Sequence, residues 1–133
     1  MALVVPNCGE VVSLSRIVNK TATGDVRLKL FSNNVTPGEA TVLGDLTEVS
    51  GSGYADKSLT GANWTVATDG SNNTTASYAK QSFALTGAAT VYGYYVTTAD
   101  GNTLIWLERF TDGPYSVPSG GGTIEVTPVI GGN

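Results

Sequence analysis

The chain carries eleven carboxylates: Glu10, Asp25, Glu39, Asp45, Glu48, Asp56, Asp69, Asp100, Glu108, Asp112 and Glu125. Two acids facing each other across a sugar could cleave a glycosidic bond, and Glu108 with Glu125 is the pair that could be drawn together for it. Asp69, Asp100 and Asp112 each precede a glycine, where turn geometry alone calls for Asp. None of the acids has the spacing of a calcium-binding loop. The aromatic residues offer different chemistry. Trp64 with Tyr54, or Trp106 with Tyr92, could form a stacking platform for a sugar, although large aromatics equally well build a small core.

Other chemistry is excluded by residue type. The chain has no His, so His-based triads, imidazole metal sites and His pH switches cannot be built. Cys8 is the lone cysteine; it can form no intrachain disulfide and has no His to activate it. Gly120-Gly121-Gly122 lacks the following Lys-Ser or Lys-Thr of a phosphate loop and reads as a hairpin loop. No residue is expected to be catalytic, to hold a cofactor or to ligate a metal. The expectation is a protein that is not an enzyme and uses no cofactor.

These side chains are carried on 133 residues of 13.7 kDa, one domain by size. Charged residues are 14% of the chain and Gly contributes 17 positions. The hydrophobic fraction of 41% is enough for a core. The net charge is −4, and the seven basic residues are scattered: Arg16, Lys20, Arg27, Lys29, Lys57, Lys80 and Arg109. Nucleic acid and anionic membranes are therefore not expected partners. Met1–Pro6 is too short and lacks the basic start of a secretion signal. No run reaches the length of a membrane span.

The positioning elements read as strands with one helix. Residues 2–6 are an apolar extended arm, since Pro6 holds Val5 extended. Over residues 9–19, Val11, Leu14 and Val18 fall on one helical face, with Asn7 as cap and Glu10 three residues on. Val26–Phe31 alternates as a half-buried strand. Asn33–Pro37 is a turn-rich loop, and Thr75–Leu85 is a long strand with a bulge near Lys80. Val91–Phe110 is the strongest signal, a hairpin about Asp100-Gly101. Its expected pairs include Tyr95 with Trp106, Tyr94 with Leu107 and Tyr92 with Arg109. Large apolar groups on both faces make this hairpin central, covered by the fold core or by another subunit. The fold class expected is all-β with one short N-terminal helix, a β-sandwich or jelly-roll-like domain of about eight strands. It spans residues 1–133, with 1–8 as an extended arm and 128–133 as a frayed tail.

Several segments together resemble a family of small β-rich virion proteins of tailed bacteriophages. They are Ala2–Asn7 followed by Gly9-Glu10, Leu30–Pro37, Gly53-Tyr54, Leu59–Trp64, Val91–Val96, Trp106–Phe110 and Gly122–Pro128. The resemblance covers nearly the whole chain and rests on the order of segments rather than on a catalytic signature. It implies a capsid decoration (cement) protein, usually a trimer on the outside of the shell. The partners implied are the major capsid protein and further copies of the chain in a homotrimer. The location implied is the capsid surface of the virion, after synthesis in the host cytoplasm without secretion.

Such a protein works by bridging shell subunits. Extended arms and loops can add a strand to a partner's sheet edge, so the candidates for shell contact are Leu3, Val4 and Val5 in the arm, and Asn33, Asn34, Val35, Thr36 and Pro37 in the loop. Two other readings belong to different classes. A tail-fibre or host-surface carbohydrate-binding module requires Trp64 or Tyr54 to be exposed. A small hydrolase requires Glu108 or Glu125 to act.

Overall fold

The computed structural model describes residues 3–18, 20 and 24–131. The chain is all-β: among the described residues one α-helix, α1 (Asn7–Ile17), precedes eleven short strands arranged in antiparallel sheets. The strands are β1 (Val26–Phe31), β2 (Lys57–Leu59), β3 (Thr65–Thr68), β4 (Thr74–Ser77), β5 (Gln81–Leu85) and β6 (Ala89–Val91). They continue as β7 (Gly93–Thr97), β8 (Leu104–Arg109), β9 (Tyr115–Val117), β10 (Gly122–Val126) and β11 (Val129–Gly131). About eight were expected. The extra strands come from the division of Thr75–Leu85 into β4 and β5 and from the three-residue pieces β6 and β11, too short to show alternation in the sequence.

The main sheet has the order β2-β1-β7-β8. Alternation in β1 turns Val26, Leu28 and Leu30 to one face. There they meet Tyr94, Val96 and Trp106 of the main sheet, Phe83 and Leu85 of β5, and Ile124 and Val126 of β10 in one core. Strands β5 and β10 pair with each other, as do β6 and β9, and they form the layer opposite the main sheet. The other face carries Phe31, Tyr95, Leu104 and Leu107, covered by Val4, Cys8, Val35, Leu43 and Leu46. Strand β7 is buried along its whole length. The chain itself covers both faces of the hairpin, through its arm, the first turn of α1 and the loop of residues 33–46, without a second subunit. Gly93 is required at the start of β7, because a Cβ there would lie 2.2 Å from the Glu108 carbonyl oxygen.

The hairpin departs from the expected register. Thr97 pairs with Leu104 as the Asp100-Gly101 turn dictates, but the ladder then shifts, pairing Val96 with Trp106, Tyr95 with Leu107 and Tyr94 with Glu108. Ile105 is the extra residue, and Ile105 and Trp106 both enter the core below the sheet. A bulge of this kind is favoured when two successive large apolar residues can both be buried. Tyr95 therefore does not face Trp106, nor Tyr94 Leu107. Tyr92, at the break between β6 and β7, stacks under the Arg109 guanidinium, 5.1 Å from its ring centre.

Four further expectations are corrected. The long strand Thr75–Leu85 is two strands: the chain leaves β4, which pairs with β3 and β11, and crosses at residues 78–80 to join β10 through β5. The tail is not frayed at 128–131, because Pro128 is buried and β11 pairs with β4; residues 132 and 133 lie outside the described residues, as does Asn19. The arm ends at Pro6, not at Cys8, since Asn7 and Cys8 are already helical. Pro6, not Asn7, caps α1, and its carbonyl accepts the Gly9 and Glu10 amides.

Candidate interaction surfaces

Helix α1 sits on β8 through its smallest residue. Gly9 is buried, and a Cβ on it would fall 1.9 Å from the carbonyl oxygen of Ile105. Cys8, beside it, has its Sγ 3.5 Å from the carbonyl oxygens of Thr41 and Leu104. These contacts fix the rotation of the helix. Gly9 lies roughly 140° around the axis from Leu14, so docking on Gly9 turns the apolar stripe outward. Val11 is 65% exposed, Leu14 64%, Ile17 77% and Val18 70%. The apolar stripe is a ridge facing solvent. Spacing located the ridge correctly, but it could not say which side of the helix the glycine would hold down.

The arm is used within the chain. The Val4 amide donates to the Leu107 carbonyl at 2.9 Å, and the Leu107 amide to the Val4 carbonyl at 3.0 Å. Val4 thus caps the outer edge of β8 as a short bridge, and Leu3 and Val5 pack on the core. The loop is also tied down. Asn33 donates to the Asp45 carbonyl and accepts from the Thr47 amide, both at 2.9 Å. Arg109 donates to the Asn34 side chain and to the Val35 carbonyl. Val35 packs on the upper core, Pro37 is half-buried, and Asn34 and Thr36 remain exposed. Of the eight candidate shell contacts, these two present the most surface.

The two sugar-platform aromatics are absorbed into the domain. Tyr54 stacks on Phe83, accepts the Leu30 amide and donates to Glu48 at 2.8 Å. Burial and the adjacent Glu48 push its hydroxyl pKa well above the usual tyrosine range. Trp64 is half-buried, edge-on to both Tyr78 and Trp106.

The acids serve mostly as turn and pairing groups. Asp69 accepts the Ser71 and Asn73 amides, Asp100 accepts the Asn102 amide and the Thr98 hydroxyl, and both carboxyls are held below the usual range by these bonds. Asp56 takes a two-pronged bond from Arg27, both contacts at 2.7 Å. Glu108 and Glu125 do line one shallow cleft of about 210 Å³, with Tyr94, Phe110, Asp112 and Tyr115. Within it Glu125 is paired with Lys80, and Asp112 accepts the Tyr115 hydroxyl. Among the described residues no group of three His, Cys, Asp or Glu side chains is placed to hold a metal ion. Among them, too, no helix is long and apolar enough to cross a membrane.

Comparison with protein-family models, curated proteins and solved structures gave no match. The surfaces must therefore be read from their own chemistry.

A second apolar surface, unmarked in the sequence, lies on the small sheet β11-β4-β3. Val66, Ala76 and Ile130 stand in one row across its three strands. Two adjoining hollows share Ala76 and Ile130. One, of about 270 Å³, adds Val66, Thr74, Thr75 and Gly131; the other, of about 190 Å³, adds Val26, Trp64 and Trp106. Together they form a groove without a charged residue.

Proposed function

We propose that the chain is a non-enzymatic structural protein of a bacteriophage virion, a decoration or cement protein that binds the outer capsid surface and stabilises the shell. Its partners in this reading are the major capsid protein and further copies of itself in a trimer. The observation that carries the reading is the exposed apolar ridge Val11, Leu14, Ile17 and Val18. Four large aliphatic side chains held in water on a helix are a protein-binding surface before they are anything else. The doubly covered main sheet supports it by making the domain a stiff support for that surface. Trimeric avidity turns individually weak contacts into firm attachment. The exposed residues of the candidate loop, Asn34 and Thr36, are the proposed polar contacts to the shell. The carbohydrate-module reading loses ground because Trp64 and Tyr54 are packed into the domain.

The experiment is co-sedimentation. Purified chain is mixed with capsids stripped of it and spun through a density gradient. Saturable binding in a fixed ratio to the capsid protein is expected. Failure to bind the shell, together with retention on a host-surface glycan column, would overturn the reading in favour of the module.

A further inference from the structure

The chain presents an apolar ridge and an apolar groove, and we infer that the two fit each other between copies: α1 of one molecule lies in the β3-β4-β11 groove of the next. This deepens the self-association named above and rests on that part of the reading alone. The ridge is built of Val11, Leu14 and Val18 at spacings of three and four, with Ile17 alongside, the pattern by which a helix seats in a groove. Docking of Gly9 on Ile105 keeps the ridge pointed at solvent.

The dimensions agree. The groove crosses three strands, roughly 10 Å, and a helix with its side chains is about 10–12 Å wide. At two-thirds exposure each, the four ridge side chains present roughly 450 Å² of apolar surface, a size at which a patch is often functional. With the groove and its rim covered to the same extent, the contact would bury about 900 Å² in all, close to the roughly 1,000 Å² of a specific interface. The charge pattern also fits. The groove lining, Val66, Thr74, Thr75, Ala76, Ile130 and Gly131, carries no charge, and on the exposed ridge face Glu10 alone does. Charge depletion marks the centre of an interface. Because ridge and groove are different surfaces, the contact is head-to-tail and closes only as a ring, which a trimer satisfies.

The test uses two surface variants, Leu14→Arg and Val66→Arg, at positions that are 64% and 69% exposed. Molar mass is measured by light scattering during gel filtration at micromolar concentration. The wild type is expected to be an oligomer and each variant alone a monomer, with self-association weakened about tenfold or more. The decisive sample is the equimolar mixture. A Leu14→Arg copy keeps its groove and a Val66→Arg copy keeps its ridge, so the mixture is expected to form a dimer and stop there. A monomeric wild type overturns the inference. So does a Val66→Arg protein that still assembles, which would mean that helices pair with each other, and so does a mixture that stays monomeric. Should either variant melt early, Leu14→Ser and Val66→Ser replace them in the same scheme. These results are independent of shell binding: an oligomer that ignores capsids refutes the virion reading and leaves this one standing.

Discussion

The carbonyl oxygen of Ile105 occupies the space in which a side chain on Gly9 would begin. That contact lets α1 lie flush on β8, and it decides which face of the helix meets water. Ile105 is itself the extra residue of the β8 bulge, so the bulge and the glycine together orient the ridge.

Replacing Gly9 with Ala is expected to lift α1 from the sheet. The new Cβ meets backbone rather than a flexible side chain, so relief requires moving the helix. The cost expected is about 1–3 kcal/mol, read by chemical denaturation, with faster hydrogen exchange across α1. Unchanged stability would show that the helix docks by other contacts.

Replacing Val4 with Pro tests the arm. It removes the donor to the Leu107 carbonyl and leaves that acceptor unpaired at the outer edge of β8. A loss of about 1–3 kcal/mol is expected, along with greater aggregation from the bared edge. Full retention of stability would instead favour an arm free to pair with a shell protein.

The Arg27–Asp56 pair predicts an acid limb in the stability profile. The two-pronged hydrogen bond and charge of Arg27 hold the Asp56 carboxyl below its ordinary value. A depressed carboxyl adds stability above the unfolded-state pKa and loses it as pH falls through the folded-state value. Asp56→Asn is therefore expected to cost up to about 1 kcal/mol at neutral pH, the pair being partly solvent-screened. That difference should begin to shrink as the pH falls through about 4 and vanish only below the depressed folded-state value of Asp56. A constant difference across the acid range would assign the loss to packing.

Arg109→Ala should free the loop. Its guanidinium bonds to Asn34 and Val35 and lies over Tyr92, and no other long-range side chain holds residue 34. Faster exchange confined to residues 34–37 is expected by mass spectrometry, with the core unchanged. Even protection across the loop would show that Asn33 alone secures it.

Much of this architecture can be read from residue order. The alternation in Val26–Phe31 and the Asp100-Gly101 turn mark β1 and the β7–β8 hairpin because both signals are local. The Tyr92–Arg109 contact survived the register error, since Tyr92 lies beyond the end of β7 and reaches the arginine from the side. The bulge at Ile105 escaped notice because it depends on what the core below can accept. The outward turn of Val11, Leu14 and Val18 escaped for the same reason: periodicity defines a face, and only the partner of Gly9 defines its direction. The break at residues 78–80 reflects a choice between two sheets that no single strand encodes. Trp106 reads as core from its neighbours, and it is buried there.

The central claim is that this chain is a surface component of a viral head. Electron microscopy of purified particles carrying a labelled copy of the chain tests it most directly. Density for the label at regularly repeating lattice positions on the outside of the head is the predicted result. Label confined to the tail tip, or absent from intact particles, would contradict it.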